Sequence, residues 1–142
     1  MTADPGVVLD ASALVAYAQN DLLAFPLDEL LSEVREQTRG AVHIPEFALV
    51  DARRILHGDK TGLARLESFA AAHGITPTAN RGEQETVQLI VAEARVSWGL
   101  AHAMLLTVTT RSTLATYAAP TLERAGFEMR LVLDLDEFFR PE

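Results

Sequence analysis

Val7-Val8-Leu9-Asp10-Ala11-Ser12 sets a carboxylate and a hydroxyl two residues apart, directly behind three apolar residues. Two of the three are β-branched, so the run reads as a short buried strand, and Ala13-Leu14-Val15-Ala16-Tyr17 behind it reads as a helix. Asp10 therefore falls at the carboxyl end of a first strand. In open α/β sheets that is where ligands bind, because loops and helix N-termini there expose polar groups without disturbing the core. The bland alternative for Asp10 is a turn aspartate capping the helix; Ser12 suits either an N-cap or a hydroxyl presented to the same crevice. A second carboxylate, Asp51, stands amid the apolar residues of Glu46-Phe47-Ala48-Leu49-Val50-Asp51-Ala52, where a solvated position on an amphipathic helix is the competing reading.

Several chemistries are excluded by what does not accompany these residues. Leu9 is followed by no Gly-x-Gly-x-x-Gly or Walker-type loop, so the backbone cradle for a pyrophosphate is missing. The chain has no Gly-x-Ser-x-Gly elbow and no cysteine. It also lacks the second carboxylate two residues after Asp10 that phosphotransfer of the haloacid-dehalogenase type would want. His43, His57, His73 and His102 show no paired metal-ligand spacing. A net charge of −8 argues against gripping bare nucleic acid through a broad basic surface, while leaving open a local cationic groove or a basic partner.

The elements that must position Asp10 follow from the alternation of patterns. At 142 residues and 49% hydrophobic content, one domain over 1–142 with a sizeable core is expected. No apolar run approaches the roughly 20 residues needed to span a bilayer. With no basic leader before Asp4-Pro5, a cytoplasmic protein is the expectation. After the first helix, which ends at Asn20-Asp21, Leu27, Leu30, Leu31 and Val34 fit one face of a second, closed by Arg39-Gly40. Ala41–Ile44 reads as a strand, Pro45 to about His57 as a helix, Leu63 to His73 as another, and Ile75-Thr76-Pro77 as a third strand. Arg81–Arg95 is helical, Ser97 caps a helix from Trp98 to about Val108, and Thr113–Thr116 is a strand. Pro120–Ala125 is a short helix stopped by Gly126, and Glu128–Leu133 a last strand. Strands alternating with helices predict a three-layer α/β/α sandwich around a mainly parallel sheet of about five strands.

Taken together, Val7-Val8-Leu9-Asp10-Ala11-Ser12-Ala13-Leu14 resembles the opening signature of PIN domains, notably the VapC-like toxins of bacterial toxin–antitoxin pairs. The rest follows that plan over essentially the full chain: His43-Ile44-Pro45 leading into a helix bearing Asp51, then Ser97-Trp98-Gly99-Leu100-Ala101-His102-Ala103, then Leu114-Ala115-Thr116-Tyr117-Ala118. The resemblance implies a PIN-like fold and, in active members, Mg²⁺- or Mn²⁺-dependent cleavage of RNA by clustered carboxylates. Such clustering is tolerable because hard divalent ions offset the repulsion while activating water and stabilising phosphoryl charge. It maps catalytic roles onto Asp10, Ser12 and Asp51, with Asp10 and Asp51 as the metal ligands. The family's third and fourth acids fall on Leu100 and Ala118, which cannot ligate a cation. A degenerate site with weak or lost nuclease activity is therefore expected. Glu46, Glu83, Glu85 and His102 are the candidates for compensation, His102 being better suited to Mn²⁺ than to Mg²⁺. The alternative is a non-catalytic RNA- or protein-binding module. By resemblance the partners are a small antitoxin-like protein, RNA and a second copy in a homodimer. For the remaining marked residues the expected roles are structural. His102 reads as a hydrogen-bonded, partly buried histidine, Arg53, Arg54 and Arg111 as solvated or carboxylate-paired charges, and Trp98 and Phe138-Phe139 as packing.

Overall fold

β1 (Val7–Leu9) is buried on both faces, and its alternation divides the core. Val7 and Leu9 point into one apolar cluster and Val8 into the other, as period-two side-chain geometry requires. The structure, a computed structural model, describes residues 6–19, 41–78 and 80–136. In chain order, α1 (Ala11–Gln19) follows β1, then β2 (Val42–Pro45), α2 (Glu46–Ile55), α3 (Lys60–His73) and β3 (Ile75–Thr76). The second half contains α4 (Arg81–Ala94), α5 (Trp98–Thr109), β4 (Thr113–Thr116), α6 (Ala119–Arg124) and β5 (Val132–Asp134).

The five strands form one sheet in the order β3-β2-β1-β4-β5, and every neighbouring pair is parallel. Val7 sits in register with Val42 on one side and Thr113 on the other. The first cluster joins Val7, Leu9 and Ala115 to Leu14, Leu49, Leu66 and Phe69 of α1, α2 and α3. The second joins Val8 and Leu114 to Val87, Leu100, Met104 and Leu122 of α4, α5 and α6. This is the expected three-layer α/β/α sandwich, and each core is built from the near-continuous apolar strands that a sheet covered on both faces demands. Among the described residues, no single helix is long and apolar enough to cross a membrane.

Side chains cap three helix starts, the one at Ser97 as expected. Asp59, Asn80 and Ser97 each accept the N–H three residues on, at 2.9, 2.9 and 3.1 Å, and so cap α3, α4 and α5. Gly74, at φ 81°, ends α3 in the left-handed region that glycine enters without steric cost.

Two expectations are corrected. Ser12 is not the cap of α1: the Asp10 carboxylate accepts the Ala13 N–H at 3.0 Å, so Asp10 is the cap and Ser12 lies inside the first turn. The last strand is confined to Val132–Asp134, and Met129–Leu131 form a 3-10 turn. Val132 pairs with Leu114, one residue into β4, and just ahead of it the Leu131 N–H donates to the Glu128 carbonyl, so these residues satisfy the backbone in a local turn rather than in the sheet. The helix expected around Leu27–Val34, the helix end at Asn20-Asp21 and the Phe138-Phe139 pair lie outside the described residues.

Candidate functional site

The sheet order places a topological switch point between β1 and β4: the chain moves outward from β1 through β2 to β3, then returns to the other side of β1 with β4. Asp10 follows the end of β1 and Thr116 ends β4. These two residues, 106 apart in sequence, meet across the crevice: the Thr116 hydroxyl donates a short hydrogen bond to Asp10 Oδ2. Asp10 Oδ1 accepts the Ser12 hydroxyl at 2.6 Å and the Ala13 N–H at 3.0 Å. The network continues outward, with the Tyr117 N–H donating to Ser12 Oγ at 3.0 Å and the Ala118 N–H to Thr116 Oγ1 at 2.8 Å.

Both carboxylate oxygens of Asp10 thus accept from the protein, and the residue is almost wholly buried, at 2% exposure. Burial raises its pKa, a shift that the Ser12 and Thr116 hydroxyls and the backbone N–H groups of Ala13 and Ser12 oppose without cancelling.

Asp51 is engaged elsewhere. Its Oδ2 accepts the Gly99 N–H at 2.8 Å, so it supplements Ser97 at the N-terminus of α5, where a negative charge also suits the helix dipole. Asp10 and Asp51 share no hydrogen-bonding partner among the described residues. Leu100 is buried against the second core, and Ala118 holds the cap position of α6. Glu46 is taken by Thr78, whose N–H and hydroxyl donate to Oε1 at 3.0 and 2.7 Å and lower its pKa. Glu83 stands in the first turn of α4, and Glu85 lies on the outer side of the same helix.

His102 is fully buried and has a structural task. Its Nδ1 accepts the Phe47 N–H at 3.3 Å, capping the start of α2, where the Pro45 cap position supplies no side-chain acceptor. That bond requires the neutral imidazole with its proton on Nε2. Burial lowers the pKa, with Glu46 and then Glu83 pulling it partly back. The sign follows: the native state stays unprotonated where the unfolded chain, at 6.5, already binds a proton. Stability contributed by the neutral His102 is complete above pH 6.5 and is lost as pH falls through that value toward the depressed native pKa. His102→Asn, which keeps an acceptor near the Nδ1 position, is expected to reduce this acid-side loss in urea titrations between pH 7 and 5. An unchanged pH slope would remove His102 from the account.

These contacts test the fit of a divalent ion. Among the described residues, no group of three or more His, Asp or Glu side chains is disposed to hold a metal ion. Asp10 already receives hydroxyl and N–H donors on both oxygens, and Asp51 receives a helix N-terminus on one. The described residues therefore do not make up the carboxylate cage that Mg²⁺ chemistry calls for. The arrangement ties β1–α1 to β4–α6.

The same fold occurs in PAE2754 from Pyrobaculum aerophilum. Its crystal structure matches with a TM-score of 0.57 over 84% of this chain and 79% of that one, at 15% sequence identity. At that identity the likeness carries the α/β fold alone. No protein-family model and no curated protein matches the chain.

A cavity of about 560 Å³ opens beside Asp51, between α2 and α4. Phe47 and Trp98 form its aromatic wall, their rings in edge contact at 5.5 Å. Val50, Asp51 and Arg54 line it from α2, and Arg81, Gln84 and Glu85 from α4. Trp98, expected to be packing, is 42% exposed here. Sequence reasoning missed Thr116 as the partner of Asp10; a hydroxyl ending the strand beside β1 was the available signal. It also missed the capping role of His102, for which no local signal exists.

Proposed function

We propose that this chain is a PIN-like domain, built on the plan of the VapC-like ribonuclease toxins, that acts in the cytoplasm as a binding module and retains at most feeble nuclease chemistry. The observation that carries this reading is the enclosure of Asp10, which is 2% exposed and accepts from the protein on both carboxylate oxygens. Ser12 and Ala13 donate to one carboxylate oxygen and Thr116 to the other, so a cation would compete with hydrogen bonds that also cap α1 and join two strand ends. With Leu100 and Ala118 at the positions of the remaining acids, any residual Mg²⁺ or Mn²⁺ binding at Asp10 and Asp51 is weak. The net charge of −8 favours a basic protein partner, such as a small antitoxin-like protein, over RNA.

An RNase assay in Mg²⁺ and in Mn²⁺ is expected to show no difference between the wild type and Asp10→Asn. Calorimetric titration with Mn²⁺ is expected to show no stoichiometric binding that depends on Asp10. Mn²⁺-dependent RNA cleavage lost in Asp10→Asn would overturn the reading and restore the ribonuclease.

A further inference from the structure

Two charged groups in the cleft between α2 and α4 have hydrogen-bonding capacity left over. Asp51 Oδ2 accepts the Gly99 N–H at 2.8 Å, which holds the carboxylate in place and leaves Oδ1 without a partner among the described residues. Arg54, exposed and three residues further along α2, lines the same cleft and forms no ion pair among those residues. The neighbouring cations are already paired: Arg53 holds Glu67 through hydrogen bonds of 2.6 and 2.9 Å, and Arg81 faces Glu85 at 3.4 Å. Residues three apart on a helix are surface neighbours, about 5–6 Å from Cβ to Cβ. A carboxylate and a guanidinium thus stand side by side.

The wall of the cleft is aromatic. Phe47 meets Trp98 in an edge contact, the rings inclined at 67°, and such a contact covers at most one face of the indole. Trp98 is 42% exposed, so ring surface remains for stacking. The cavity of about 560 Å³ falls within the roughly 300–1,000 Å³ of small-molecule sites. A half-exposed aromatic ring in a concavity selects a flat ligand. The carboxylate and guanidinium beside it select one whose rim sets a pair of donors next to a pair of acceptors.

Among the nucleobases guanine alone has that rim. Its N1–H and N2–H groups are paired donors that match a carboxylate, and beside them O6 and N7 are paired acceptors that match the guanidinium fork. Adenine, cytosine and uracil alternate donors with acceptors, so a carboxylate laid along the same edge meets an acceptor in each. We infer that the cleft of Phe47, Asp51, Arg54 and Trp98 binds a guanine base, with Trp98 stacked on the ring, Asp51 accepting from N1 and N2, and Arg54 donating to O6 and N7. The net charge of −8 disfavours a strand carrying many phosphates and suits a single nucleoside or nucleotide. Binding of this kind depends neither on Asp10 nor on nuclease activity.

Trp98 is the only tryptophan in the chain, so its emission reports on the cleft directly. Titration of the full chain with guanosine monophosphate is expected to quench that emission saturably, with one site per chain by calorimetry. Guanosine, which has no phosphate, is expected to bind comparably, and adenosine monophosphate about tenfold more weakly or worse. Arg54→Lys keeps the charge but loses the planar fork. Asp51→Asn keeps an acceptor for the Gly99 N–H but sets an amide against the guanine donors. Each is expected to weaken guanosine monophosphate binding about tenfold or more, and Asp51→Asn to erase the preference over adenosine monophosphate. Arg54 is exposed, so Arg54→Lys carries the test even if Asp51→Asn disturbs α5. Absence of saturable quenching by guanosine monophosphate, equal affinity for adenosine monophosphate, or an Arg54→Lys variant that binds like the wild type would each overturn the inference. Quenching by guanine-rich single-stranded RNA with none by guanosine would overturn it as well, and would assign the cleft to a nucleic-acid strand.

Discussion

Asp10→Ala is expected to lower the unfolding free energy by about 2–4 kcal/mol, combining the loss of an N-cap with buried donors left unpaired. Alanine withdraws the acceptor from the Ala13 N–H and from the Ser12 and Thr116 hydroxyls together, inside a site where Asp10 is 2% and Thr116 0% exposed. Asp10→Asn is expected to behave differently. Its Oδ1 keeps the Ser12 and Ala13 donors, and its amide faces Thr116 Oγ1, a hydroxyl that can reverse and turn its proton toward Ser12 Oγ at 3.3 Å. The pH dependence separates the two substitutions further. Burial holds the Asp10 pKa above its ordinary 3.8, so from that pH upward the native state binds more protons than the unfolded chain. Wild-type stability therefore loses ground as pH rises from about 3.8 to the raised native pKa, and changes no further beyond it. Asp10→Asn carries no such loss and should gain on the wild type across that window. Denaturant unfolding at a series of pH values checks both statements. An Asp10→Asn variant as unstable as Asp10→Ala, or one that loses ground as pH rises, would show that the carboxylate is needed ionised.

The contrast between Asp10 and its partners shows where sequence reasoning reaches and where it stops. Asp10 was legible because strand, junction and helix are all local: three apolar residues, a carboxylate, then an alanine-rich run. The five strands and the cap at Ser97 are local in the same sense. Thr116 and Asp51 acquire their roles from residues 106 and 48 positions away, and spacing along the chain carries no record of such meetings. The shortened β5 has the same origin. Glu128–Leu133 has strand composition throughout, but the turn over Met129–Leu131 takes its first residues out of the ladder, which only the assembled sheet reveals. The fold was therefore open to pattern reading, whereas the occupation of Asp10 by internal donors, on which the functional reading turns, was not.

Gly99→Ala tests the one close backbone approach that holds Asp51 in place. On helix propensity alone the substitution should help, by up to about 1 kcal/mol. At Gly99, however, a Cβ would lie 2.8 Å from Ala48 Cα and 2.9 Å from the Phe47 carbonyl oxygen, both backbone atoms of α2 that cannot step aside. It would also sit 2.5 Å from Asp51 Oδ2, the acceptor of the Gly99 N–H. Relief requires α2 and α5 to separate, and overpacking of that kind costs about 1–3 kcal/mol, with the charge-assisted hydrogen bond weakened in addition. Sterics win, and a net destabilisation of about 1–3 kcal/mol is expected. Gly82 supplies a matched control, because it is the second residue of α4 as Gly99 is of α5. A Cβ there meets only the Asn80 side-chain oxygen, at 3.1 Å, on an exposed residue able to yield by a few tenths of an ångström. Gly82→Ala should be neutral or stabilising by up to about 0.5 kcal/mol, as propensity predicts for an unobstructed site. Thermal or denaturant unfolding of the pair decides the matter: the same substitution at equivalent positions should carry opposite signs. Equal effects would mean that α2 and α5 do not approach at Gly99 as closely as the Asp51 hydrogen bond requires.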